Sequence, residues 1–301
     1  MSFAMVIGGV VLAIVASVIY LLRYRMDRPP VGVVNRSDVY LISVFVIVLP
    51  VAYLHLPGWI VGSIFAVLGT ALIRLTLVPV VGSRGGTCVA LTLGIADVSI
   101  CLGLGSHSAL FDLVNGAALI LLMVGATNTW VQGGMRTSNV AMLAAFLVAY
   151  DLVATWALPM MVDFYGRVEA LPFTPVLRWG SGGNLAAIGL GDILMATLWP
   201  LVLTKAHSRR DAVTGAALTL GGLVLIHIGF ELGVLDSLVP AMIFIGPAVL
   251  LHFLLLRRRR PERTFAEFEH WGGARRTARP HLVGAQHATG TFDASSSAPS
   301  R

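Results

Sequence analysis

Charge is scarce in this chain. Of its 301 residues, 12% are Asp, Glu, Lys or Arg, where a soluble domain carries roughly a quarter, and a water-facing globule is excluded. Cysteine is scarcer still: Cys88 and Cys101 lie in or beside apolar runs, too few for a disulfide framework or a metal cluster, and read as small core residues. A basic stripe interleaved with aromatics, the footprint of nucleic-acid binding, is missing despite a formal net charge of +6. Strict apolar–polar alternation is missing too, which excludes a membrane β-barrel. What abounds is apolar residue: 56% of the chain, with a mean hydropathy of +0.84. It extends to Leu256 instead of gathering at one end, so it is not a removable signal peptide, and the body of the protein belongs in lipid.

A helix crosses the bilayer core with about 20 apolar residues. Cutting the chain at Gly, Pro and charge clusters gives nine spans: Phe3 to Leu22, Val39 to Leu56, Ile60 to Val81, Cys88 to Leu104, Ala109 to Ala126, Val140 to Val162, Leu185 to Thr204, Ala216 to Leu235 and Leu238 to Leu256. The predicted fold is an all-α polytopic membrane protein. Residues 1–139 form an N-terminal scaffold of five spans, 140–256 a second unit of four, and 257–301 a basic tail. Arg23, Arg25, Arg28, Arg36, Arg84, Arg136, Lys205, Arg209, Arg210 and Arg257 to Arg260 fall on one side, and Arg167 and Arg178 on the other. Positive-inside then puts the N-terminus outside and the C-terminus in the cytoplasm, which requires an odd number of spans. Arg74 snorkels from the third span. The tail, poor in large apolar residues, is expected to be disordered, with Phe265 and Phe268 resting on the inner leaflet.

An acid at mid-bilayer costs about 2.5–3.5 kcal/mol and needs a partner, a cavity or a job. The candidates are Asp97, Asp112, Asp151, Asp192 and Glu231. Asp112 is one turn from the outer end of its span and reaches the interface, while Glu231 stands one turn after His227, its natural structural partner. Asp151 is the midpoint of the sixth span. Asp192 lies about 10 Å inside the seventh, which places the two carboxylates within about 4 Å of one level in antiparallel neighbours. Gly189 and Gly191, lacking side chains, let a facing helix and a substrate backbone come close. Two carboxylates held together in a low dielectric divide the work of one proton: one activates water as a base, the other protonates a carbonyl oxygen as an acid. They titrate as a unit, so neither role is assigned to one residue.

These residues resemble a family, the GxGD intramembrane aspartyl proteases: presenilins, signal peptide peptidases and their archaeal and bacterial relatives. Tyr150-Asp151 resembles the YD motif of the family's sixth helix, Gly189-Leu190-Gly191-Asp192 the GxGD motif of the seventh, and Pro240-Ala241-Met242 the PAL motif of the ninth. The context Ile188 to Ile193 and the stretch Pro240 to Ala248 are closer to the signal peptide peptidase branch, as is the inferred orientation. The resemblance covers about Val140 to Leu256. Met242 stands where the family usually has Leu, and Val239 where that branch often has Gln.

The resemblance implies hydrolysis of peptide bonds within membrane-spanning substrates, of type II orientation or signal peptides, by Asp151 and Asp192 with no metal and no cofactor. Pro240, Ala241 and Met242 would dock the substrate, and the connection Asp163 to Asn184 would order it as an extended chain. Pro172, Pro175, Gly180, Gly182 and Gly183 make that connection too broken for a helix. Water must reach the carboxylates, so a polar cavity is expected at the level of Asp151, with Asp97, Thr155 or Asn184 on its wall. Arg in preference to Lys and the lack of sorting signals fit a prokaryotic plasma membrane. The competing readings are an ion- or proton-coupled transporter using Asp97, Asp151, Asp192 and Glu231, a prepilin-type peptidase, and a purely structural bundle. The peptidase class continues its second motif with a basic residue where this chain has Ile193-Leu194-Met195, and no inverted repeat favours transport.

Overall fold

A backbone surrounded by lipid has no water to satisfy its N–H and C=O groups, so apolar runs fold as helices that satisfy them internally. The structure, a computed structural model, describes residues 2–26, 35–158, 160–180, 185–235, 239–258 and 261–270. Its elements are α1 (Ser2–Arg23), α2 (Arg36–His55), α3 (Gly58–Leu104), α4 (Ala109–Gln132), α5 (Thr137–Asp151), a π-helical turn (Leu152–Ala157) and α6 (Met160–Val168). They continue with β1 (Val176–Trp179), β2 (Ala186–Gly189), α7 (Leu190–Ala206), α8 (Arg209–Glu231), α9 (Met242–Arg257) and α10 (Phe265–His270). Among the described residues, six helices are long and apolar enough to cross a membrane: α1, α2, α3, α4, α5 carried on to Thr155, and α8. The protein is a membrane-embedded helical protein.

Polar side chains mark where helices begin. Asn35 accepts from the backbone of Ser37 and Asp38 while Asp38 reaches back to Asn35, a reciprocal cap on α2. Ser108 and Ser208 cap α4 and α8 in the same spirit. The long α3 is two arms. Gly82, at φ 80°, breaks it with a left-handed conformation that suits glycine, and the arms return antiparallel: Arg74 Nε donates to Thr87 Oγ1 at 2.8 Å, and a Cβ on Gly86 would lie 2.9 Å from the Val78 nitrogen.

The core is centred on α7. Met195, Ala196, Leu198, Trp199, Leu201, Val202 and Leu203 are fully buried beneath α1, α4, α5, α8 and α9. Outward faces of α2 and α3 stay bare and apolar, with Trp59 at 74% and Leu102 at 78% exposure. On a soluble protein such faces would aggregate, whereas in a bilayer lipid covers them.

Several expectations need correction. The fold is not wholly α: β1 and β2 pair antiparallel, Val176 opposite Gly189 through Trp179 opposite Ala186. The connection from Asp163 is not too broken for a helix, since α6 runs on to Val168, and its Pro and Gly residues act only further along. The run read as Val140 to Val162 is interrupted after Asp151 by the π-helical turn. The seventh run starts as a strand, so its helix begins at Leu190 and not at Leu185. The ninth helix begins at Met242; Leu238 lies outside the described residues. Cys88 is exposed, and only Cys101 is buried.

The start of the tail is also packed. Phe265 and Phe268 are buried in the core cluster and not laid on a leaflet. Arg25 stacks over the Phe265 ring at 4.5 Å and pairs with Glu269 at 2.7 Å. The expectation of disorder beyond 270 lies outside the described residues.

Candidate functional site

Three segments, far apart in sequence, meet at one end of α7. Asp151 is the last residue of α5, immediately before the π-helical turn. The Met242 backbone N–H, in the first turn of α9, lies close enough to its carboxylate to act on it electrostatically. A glycine makes that approach possible: Gly246 lies against α5 so closely that a Cβ there would fall 2.1 Å from Val148 Cγ2. Pro240 and Ala241 are buried just ahead of α9, and their carbonyls accept from Ile243, Phe244 and Ile245. Proline suits this position because it needs no hydrogen-bonded N–H before the helix starts.

Asp192 occupies the first turn of α7, where the helix dipole favours an acid. Its carboxyl folds back beside Gly189, the residue that caps the helix and ends β2, where a Cβ would lie 3.4 Å from Asp192 Oδ2. Asp151 and Asp192 lie within reach of each other's charge, and both are half-buried. The structure thus brings together Asp151, Asp192, Gly189 and Met242. Leu190 is half-buried and Gly191 exposed at the start of the same turn. Tyr150 turns elsewhere: its ring stacks on Phe146, and its hydroxyl points to Met161 Sδ at 3.6 Å, across the π-helical turn.

The strand ladder decides what else faces the carboxylates. Leu190 N–H donates to Pro175 O at 2.9 Å, so the bonded pairs are 190 with 175, 188 with 177 and 186 with 179. Ala187 and Gly189 therefore turn their backbone groups to the other edge of β2, next to Asp192.

The other acids lie elsewhere. Asp97 is fully buried, and its Oδ1 accepts the Phe173 N–H at 2.7 Å. It is no part of a wall beside Asp151. Asp112 does not reach an interface: Arg178 Nε binds its Oδ1 at 2.7 Å, both side chains almost wholly buried. Sequence reasoning placed each by depth alone, and the partner, 66 residues away, carries no local signal. His227 and Glu231 do pair, 3.7 Å apart and partly open to the outside, with Phe3 stacked on the imidazole. Thr155 sits in the π-helical turn, and Asn184 lies outside the described residues. A cavity of about 330 Å³ lies away from the dyad, between Tyr53, Val61, Phe164 and Leu171. Among the described residues no group of three His, Cys, Asp or Glu side chains is placed to hold a metal ion.

The chain matches no protein-family model and no curated protein.

Proposed function

We propose that this protein is an intramembrane aspartyl endopeptidase of the GxGD type, closer to the signal peptide peptidases than to the presenilins. One observation carries the reading: Asp151 and Asp192, 41 positions apart in the sequence, meet within charge reach at the end of α7, with the Met242 N–H close to the Asp151 carboxylate. Three sequence motifs and one meeting point fit one chemistry.

In that chemistry one carboxylate takes a proton from water as the oxygen attacks the scissile carbonyl. The other gives its proton to the carbonyl oxygen. Collapse of the tetrahedral species breaks the C–N bond, with the proton passing to the departing amine. No metal or cofactor takes part. The substrate is a transmembrane peptide whose helix unwinds at the cut, since helical hydrogen bonding keeps the carbonyl engaged. The edge of β2 that faces away from β1, at Ala187, suits such an extended backbone, as does the Pro240-Ala241-Met242 segment.

Nine crossings complete this reading, with the N-terminus outside and the C-terminus in the cytoplasm of a prokaryotic plasma membrane. The two arms of α3 count separately, α5 continues into α6, and α7 and α9 supply the rest. A relay for transport finds less support, because Asp97 is engaged by the Phe173 backbone and Glu231 by His227.

The test is cleavage of tagged type II transmembrane peptides by purified protein, comparing wild type with Asp151→Asn and Asp192→Asn. Each variant is expected to lose about 10³-fold or more in rate while staying folded. Cleavage that survives either change refutes the assignment.

A further inference from the structure

The strand pair that delivers Gly189 and Asp192 is held by polar groups from the opposite half of the chain. Arg178 of β1 binds Asp112 of α4 at 2.7 Å, donates to the Glu169 carbonyl at 3.3 Å, and lies over the Phe111 ring at 5.5 Å. One turn along α4, Asn115 Nδ2 donates to the carbonyls of Thr174 and Val176, at 3.2 and 3.3 Å. From the second arm of α3, Asp97 takes the Phe173 N–H at 2.7 Å. Phe173 is the one non-glycine residue with positive φ among the described residues, at 53°, a strained state for a bulky side chain that the surroundings must enforce. Its ring fits against Gly69, where a Cβ would lie 2.7 Å from Phe173 Cδ1.

This is an unpromising way to stabilise a membrane protein. A buried ion pair does no better than well-packed apolar side chains of the same volume. Moreover, Asp97 Oδ2, Asn115 Oδ1 and Arg178 Nη2 find no hydrogen-bond partner among the described residues, and buried unpaired polar atoms cost stability. What directional bonds do better than apolar packing is fix a position. Here every one of them ends on residues 169–178, and β1 hands its position to β2 through the ladder, down to Leu190 N–H on Pro175 O.

We infer that Arg178, Asp112, Asn115 and Asp97 form a clamp that positions β1, and through it Gly189 and Asp192, against Asp151. They are positioning residues, not catalytic ones. The inference deepens the protease reading and rests on it for its catalytic consequence, whereas the placement of the strand pair stands on its own.

The experiment uses full-length protein in nanodiscs: wild type, Arg178→Gln, Asp112→Asn and the double variant, which leaves no charge unpaired and so keeps a folded sample available. Two quantities are read, hydrogen exchange at the Ile188 and Leu190 amides and the kcat for a type II peptide. The clamp predicts that exchange at these two amides speeds up while that of residues 195–203 is unchanged. It also predicts that kcat falls by about 10²-fold, the scale of a reacting group displaced by about 1 Å, with KM nearly constant. Strand exchange at the wild-type rate in the double variant overturns the clamp, whatever the catalysis does. So does a lowered melting temperature with strand exchange and kcat both intact, the mark of a merely structural pair. Cleavage that persists in Asp192→Asn refutes the protease reading instead, and the exchange data still judge the clamp.

Discussion

The two ends of α7 are held by opposite means. At one end Asp192 is half-buried, and its turn is tied to a short strand pair by the Leu190 N–H, which donates to the Pro175 carbonyl. At the other, Lys205, the chain's single lysine, is 1% exposed, donates to the Met135 carbonyl at 2.5 Å and stands 3.9 Å from Glu262. There Arg263 donates to the carbonyls of Thr204, Ala206 and His207, which the end of a helix leaves unpaired. Glu262 also accepts the backbone N–H and hydroxyl of Thr137, so it joins the start of α5 to the end of α7. Charge fixes the Lys205 end and backbone geometry sets the Asp192 end. The difference teaches what each end depends on: the Lys205 end on charged side chains that bind it directly, the Asp192 end on a strand pair whose own place is set by Arg178, Asn115 and Asp97.

Spoiling the Asp192 end should cost the most. In Gly246→Ala the new Cβ meets Val148 Cγ2, so α9 shifts off α5 and withdraws the Met242 N–H from Asp151. Overpacking of this kind costs about 1–3 kcal/mol, and cleavage is expected to fall by at least tenfold, about 1.4 kcal/mol in the barrier. Adding Val148→Ala restores much of both. Melting and cleavage assays on the single and double variants decide it. A Gly246→Ala protein of full activity shows that the approach of α9 does not matter.

Spoiling the Lys205 end should cost stability and spare chemistry. Glu262→Gln weakens the cap on Thr137 and leaves Lys205 without its counter-charge, a loss of about 1.5–3 kcal/mol for hydrogen bonds to a charged group. Denaturant unfolding in detergent measures it, and cleavage by the remaining folded protein is expected to stay near wild type. Equal losses of stability and of rate per folded molecule contradict the separation of the two ends.

The same contrast explains what was legible in the sequence. Helical runs were, because lipid imposes length and hydropathy on them, and Gly82 betrayed the break in α3 through its place between Val81 and Cys88. Asp151, Asp192 and Gly189 stood out because an acid in an apolar run is costly. The strand at Ala186–Gly189 did not, since four small and apolar residues ahead of a helix look like its first turn. Nor did the pairing of Asp112 with Arg178, which depends on tertiary placement alone. Glu262, Arg263, Phe265 and Phe268 were hidden for a different reason: the polar composition of the tail as a whole masks ten residues whose order comes from what they dock on.

The smallest effect belongs to α10, at the far edge of the Lys205 end. The Thr264 backbone N–H and hydroxyl both donate to Glu267, at 2.6 and 3.0 Å, and hold its carboxyl below the ordinary glutamate value. A depressed folded value means that the ionised form is the one the fold prefers, so the contribution is complete above the unfolded value and fades as the pH falls through the depressed one. Wild type and Glu267→Gln, compared by denaturant titration, should therefore differ slightly at neutral pH and converge below the normal range of glutamate. With Glu267 fully exposed, solvent keeps the difference small, and burial of Phe265 and Phe268 retains α10 in both proteins. A gap that stays constant with pH, or widens on acidification, shows that the Thr264–Glu267 cap does not stabilise α10.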